Sequence, residues 1–105
     1  MYIEEILKAL ADPNRIRILN LLYNQALCVC DIETVLGLNQ SNLSRHLAKL
    51  RRAGLVKAEK KGMFIYYSRL PIAEPYRVPI ESLFDALQAD PTWESDRLKF
   101  QARSC

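Results

Sequence analysis

Apolar residues return every three or four positions from the start of the chain. In "IEEILKAL", Ile3, Ile6, Leu7 and Leu10 share one face and Glu4, Glu5 and Lys8 the other, the period of an amphipathic helix. The run "ADPNRIRILNLLY" starts a second helix: Asp12 is a suitable N-cap, and Pro13 fits the first helical position, where its missing N–H costs nothing. Ile16, Leu19 and Leu22 then supply its buried stripe. A short third helix is expected from Asp31, read as its N-cap, with Ile32, Val35 and Leu36 facing inward and Gly37 closing it. The longest periodic run is "SNLSRHLAKLRRAGL", with Leu43, Leu47 and Leu50 on one face and Gly54 at its end. There the period falls to two. "LVKAEKKGMFIYYSRL" reads as two strands joined at Lys61-Gly62, with aromatic and β-branched residues in the second.

Short helix, glycine-containing turn, longer helix and hairpin is the order of a winged helix-turn-helix. The expected fold is mainly α with a small β-hairpin, α1-α2-α3-α4-β-β-α5. Beyond Leu70, "PIAEPYRVP" holds three prolines and predicts a broken connection. "IESLFDALQAD" restores the helical period with Ile80, Leu83, Phe84 and Leu87 on one face, and Pro91 follows its end. Residues 1-90 are thus expected to form a winged helix-turn-helix domain for DNA binding and dimerisation. A C-terminal tail, 91-105, has few apolar residues (Trp93, Leu98, Phe100) and room for one more helical piece.

With 105 residues, 50% of them hydrophobic, the chain can build one modest core and no more. Its net charge of +3 is mild, so the placement of charge matters more than the total. From Arg45 to Lys61 there are seven Lys or Arg against one Glu. On the fourth helix, Ser41, Arg45, Ala48 and Arg52 point away from the leucine stripe, flanked by Asn42 and Lys49. Such a face can donate to phosphates and reach base edges in a major groove. An ordinary solvated face is the simpler reading of one helix alone; the helix-turn-helix spacing, the basic stretch and the adjoining hairpin together favour duplex DNA. The candidate contact set is Gln40, Ser41, Asn42, Ser44, Arg45, His46, Lys49 and Arg52, with Lys60 and Lys61 in the wing. His46, the single histidine, lies at the border of the leucine face, more in keeping with a half-buried or phosphate-contacting group than with a metal ligand. No nucleophile–base pair stands out, which argues against an enzyme.

The first and last apolar faces, Ile3, Ile6, Leu7 and Leu10 with Ile80, Leu83, Phe84 and Leu87, are candidate dimer surfaces; the simpler alternative is that they cover the chain's own core. A two-fold dimer would present two reading helices to successive major grooves. Uncharged runs are too short to span a membrane, and "MYIEEILKAL" lacks the basic segment of a signal peptide, so a cytoplasmic protein is expected. The three cysteines, Cys28, Cys30 and Cys105, do not make a disulfide framework.

Four stretches in order, "LKALADPNRIRIL", "LCVCDI", "QSNLSRHLAKLRRAGLV" and "KKGMFIYYSRL", resemble the arsenic- and metal-sensing winged-helix repressors of the ArsR/SmtB family. The resemblance spans about residues 4 to 70. It implies a homodimer that represses its own operon until an inducer binds, and DNA contacts at Ser41, Asn42, Ser44, Arg45, Lys49, Lys60 and Lys61. It also implies an inducer held by thiolates of Cys28 and Cys30: arsenite or antimonite, with methylarsenite as a further candidate. Cadmium/lead members add N-terminal thiols, and residues 1 to 27 hold no cysteine. Zinc members use histidines on the last helix, and residues 70 to 105 hold none. Arsenite members often carry a third cysteine where this chain has Glu33.

Physics makes the Cys-Val-Cys spacing informative. Soft trivalent arsenic prefers thiolate sulfur. Residues i and i+2 of a continuous helix diverge, whereas in extended backbone they face one side, so a shared ion is expected to need non-helical backbone before Asp31. If Cys30 lies in a helical turn, binding is expected to distort that turn and move the DNA-reading helix packed on it. Cys105 is the remaining candidate for a third ligand. The rival classes are a sensor of another soft metal, a redox or persulfide switch pairing Cys105 with Cys28 or Cys30, and a constitutive binding module. A direct Cys28–Cys30 disulfide is expected to be strained.

Overall fold

The computed structural model describes residues 2–102, and the candidate ligand Cys105 lies outside them. Helices α1 (Tyr2–Leu10), α2 (Pro13–Leu21), α3 (Val29–Leu36) and α4 (Gln40–Arg52) precede a hairpin of β2 (Val56–Lys61) and β3 (Phe64–Arg69). Helix α5 (Arg77–Ala86), a 3-10 turn (Leu87–Ala89) and α6 (Pro91–Ala102) follow. This is a winged helix-turn-helix. The core gathers Ile6 of α1, Ile18, Leu19 and Leu22 of α2 and its end, Ile32 and Val35 of α3, and Leu43, Leu47 and Leu50 of α4. Ile16, expected in that stripe, is only half-buried; Ile18 takes the inward position.

Local chemistry explains the boundaries. The Asp12 carboxylate accepts the N–H groups of Asn14 (2.8 Å) and Arg15 (3.2 Å), with Pro13 first in the helix. Gly37 (φ 67°) closes α3 in the left-handed conformation that a side chain rarely tolerates. Asn39 caps α4 by accepting the Asn42 N–H at 2.8 Å.

Four expectations need correction. The cap of α3 is Cys28, not Asp31: Cys28 is extended (φ −73°, ψ 156°) and its sulfur accepts the Asp31 N–H, so the helix starts three residues earlier. The hairpin turn is Gly62-Met63, because Lys61 pairs with Phe64. A third strand, β1 (Leu27–Cys28), pairs antiparallel with β3 and gives the sheet order β1-β3-β2. Two residues of strand carry too little period to be read from sequence. The last helices also differ. α5 begins at Arg77 and passes Pro79 within its first turn, where no intrahelical N–H is required. Pro91 does not merely end a helix but opens α6, with Asp90 accepting the Thr92 N–H at 2.8 Å.

α6 is docked rather than trailing. Trp93 is buried and its indole N–H donates to Gln88 at 2.8 Å. Arg17 of α2 donates to both carboxylate oxygens of the buried Asp96 at 2.8 and 2.9 Å, and to the Leu36 carbonyl at the end of α3. Hydrogen bonding to Asp96 raises the pKa of Arg17 further. No helix among the described residues is long and apolar enough to cross a membrane.

Candidate thiol centre and nucleic-acid interface

Cys28 is the last residue of β1 and the cap of α3; Cys30 lies in the first turn of α3. Because the cap residue stands outside the helix, its side chain swings back over that turn. The two sulfurs meet there in a disulfide, with Cα atoms 5.4 Å apart, within the ordinary range for a cross-link. The non-helical backbone expected ahead of Asp31 is present at Cys28, which is extended, while Cys30 lies in the helical first turn; this break between strand and helix brings the sulfurs together with α3 intact. Cys28 is buried and Cys30 exposed. Sequence reasoning missed one neighbour. The Asp31 carboxylate and the two sulfurs lie within 4.8 Å of one another, a set of three potential ligand atoms. Its signal was adjacency, masked by reading Asp31 as a cap.

The centre adjoins both α4 and the wing. Cys28 pairs with Tyr66 and Leu27 with Tyr67 of the wing strand β3. Cys30 and Glu33 of α3 share the wall of a cleft of about 650 Å³ with Ser44 of α4 and Phe64 of the wing.

On α4, the leucines are buried and Gln40, Ser41, Ser44, Arg45, Lys49 and Arg52 are exposed on the outer side, as expected. Asn42 is half-buried and its side-chain oxygen accepts a short hydrogen bond from Arg45, which restricts the guanidinium. The strand register puts Lys60 on the face of Ile65 and Tyr67 and the adjacent Lys61 on the opposite face, its ammonium 5.7 Å from the Tyr66 ring centre.

His46 stands apart from this face. Its Nδ1 lies 3.3 Å from Arg15 Nη1 and 4.0 Å from the Asp12 carboxylate, tying α4 to the start of α2. Burial lowers its pKa below 6.5, and Arg15, Arg45 and Lys49 push the same way against Asp12. Burial raises Asp12 in turn, but the N–H groups of Arg15 and Asn14, with His46 and Arg15, outweigh it and hold the carboxyl below 3.8. Arg15 itself is buried, its Nε and Nη2 donating to the carbonyls of Ala9 (2.6 Å) and Lys8 (3.1 Å) that end α1.

The candidate dimer residues divide. Ile6, Ile80 and Phe84 are spent on the core. Leu7, Leu10, Leu83 and Leu87 line an almost wholly apolar groove of about 360 Å³ between α1 and α5, with Leu7 and Leu83 half exposed (51% and 54%).

Residues 12–58 match the family of bacterial regulatory proteins of the arsR type. The chain is 35% identical over 99 residues to the arsenical resistance operon repressor of Escherichia coli K12, covering 93% of this chain and 78% of that one. This chain belongs to the ArsR family. It is also 42% identical over 67 residues to the arsenic resistance transcriptional regulator ArsR1 of Pseudomonas putida, a stretch that is 63% of this chain but spans only about half (52%) of that protein. Relatives named for cadmium resistance match as well. Among solved structures, HlyU from Vibrio cholerae superposes with a TM-score of 0.70 at 35% identity, over 81% of this chain and 90% of that one. The family and these named relatives are regulatory.

Proposed function

We propose that this chain is a repressor that binds operator DNA as a two-fold dimer and is released when trivalent arsenic or antimony is bound by Cys28 and Cys30. The observation that carries this reading is the meeting of the two sulfurs at the junction of β1 and α3. As thiolates they form a soft chelate suited to a thiophilic ion, with the Asp31 carboxylate close enough to add an oxygen. A ligand there acts on two DNA-reading parts at once, through β1 on the wing and through α3 on α4. DNA and inducer are then antagonistic by linkage. The contacts proposed for DNA are Gln40, Ser41, Asn42, Ser44, Arg45, Lys49 and Arg52 with Lys60; His46 supports that face from behind. The apolar α1–α5 groove supports the dimer, which would align two α4 helices on a near-palindromic site.

The test uses a duplex selected by the purified protein from random sequence. Arsenite, antimonite, methylarsenite or cadmium is titrated into the complex under reducing conditions. Arsenite and antimonite are expected to release DNA from the wild type, and Cys28→Ser with Cys30→Ser to hold it throughout. Normal release from that double variant would sink the reading. A second reading is favoured by the same juxtaposition: because Cys28 and Cys30 meet directly, an oxidant or persulfide could couple them without Cys105. DNA release by peroxide, with none by arsenite, would select it.

A further inference from the structure

The hairpin tip carries three consecutive exposed apolar residues, Met63 (93%), Phe64 (55%) and Ile65 (47%), an arrangement that soluble surfaces avoid unless something docks there. All three line the 650 Å³ cleft that Cys30 also lines. That volume is in the range of small-molecule sites. Ser44 and Ala48 of the DNA-reading helix form another of its walls.

We propose that this cleft is a subsite for the organic substituent of a trivalent arsenical, R–As(OH)2, whose arsenic is held by Cys28 and Cys30. The proposal rests on the reading of those cysteines as the inducer site. Among the described residues the centre offers two thiols, and Glu33 stands at the cleft edge. Two As–S bonds leave the third bond of a pyramidal arsenic for a carbon substituent, and the exposed Cys30 lines the same cleft as Met63 and Phe64. In the dithiol form, each thiol loses its proton, two As–O bonds break, two As–S bonds form and two waters leave, with arsenic trivalent throughout. A disulfide form is first reduced by a phosphine, which gives two electrons and becomes a phosphine oxide with oxygen from water. A substituent seated there fills space between α4 and the wing that a duplex would enter. Release then includes direct obstruction as well as strain at the β1–α3 junction.

Methylarsenite and phenylarsenite make the same two As–S bonds and differ only in the substituent, so their comparison isolates the cleft. The full-length chain, kept reduced with a phosphine, is titrated with each, and adducts are read by native mass spectrometry, with a small free dithiol as reference. Relative to that reference, the wild type should favour phenylarsenite by about tenfold, the worth of burying roughly 60 Å² more apolar surface. Met63→Ser with Phe64→Ser should bring the preference within about twofold of the reference while methylarsenite binding persists; both residues are exposed, so the fold survives. An equal preference in wild type and variant overturns the proposal. So does a variant that loses only DNA affinity, which would assign the tip to DNA. Absence of any adduct dependent on Cys28 and Cys30 overturns the inducer reading itself, a result distinct from the first two.

Discussion

Cys28 combines two roles at the residue scale, since the sulfur that caps α3 also belongs to the thiol pair. Serine is among the best N-caps and alanine among the poor ones. Cys28→Ser should therefore keep the stability of the wild-type dithiol form, and Cys28→Ala should lose about 0.5–1 kcal/mol, read by urea denaturation under reducing conditions. A Ser variant that fails to respond to arsenite is then a ligand defect and not a folding defect. His46 makes a second prediction. It is harder to protonate in the folded protein than in the unfolded chain, so its contribution is fully present above pH 6.5 and is lost as pH falls from there through the lower folded value. Denaturation midpoints followed from pH 7.5 down to 5 should drop in the wild type and drop less in His46→Gln. The corresponding loss from Asp12, whose carboxyl is also held low, comes only below 3.8. An equal drop in both proteins would remove His46 as the cause.

The elements show how one signal was read in one place and missed in another. Ala11-Asp12-Pro13 and Ala89-Asp90-Pro91 are the same tripeptide, and in both the aspartate caps and the proline opens a helix. The first was legible because a clear apolar period follows it. The second was not: α6 presents few apolar residues, and its anchor is the charge Asp96, whose value depends on Arg17 79 positions away. Removing one partner of a buried pair strands the other, though Arg17 is about a fifth exposed and water relieves part of the loss. Asp96→Ala should cost about 2–4 kcal/mol. Limited proteolysis should then cut first between α5 and α6; unchanged protection of that segment would mean that the apolar contacts of α6, Trp93 foremost, suffice to hold it.

For the whole molecule, the proposed dimer has one surface suited to it. The α1–α5 groove is apolar and half exposed at Leu7 and Leu83, whereas Ile6 and Phe84 behind it are already committed to the core. Leu83→Glu should therefore leave the monomer folded and abolish the dimer in sedimentation. It should also weaken binding to a two-half-site duplex by about 100-fold or more, because the two halves no longer bind as one. A dimer that survives this change would place the interface elsewhere.

By itself the sequence determined the four-helix order, the caps at Asp12 and Gly37, and the outward face of α4. These depend on neighbours within a turn or two, where periodicity and capping act. Only the tertiary structure decided that Cys28 is a strand end and cap, and hence that the sulfurs converge without unwinding α3. It alone put Asp31 beside the sulfurs, sent Ile6, Ile80 and Phe84 to the core and Leu7, Leu10, Leu83 and Leu87 to the groove, and opened a cleft from Cys30 to the wing. Each of these is set by pairing between distant segments, Cys28 with Tyr66 or Arg17 with Asp96, and a local pattern carries no record of such partners.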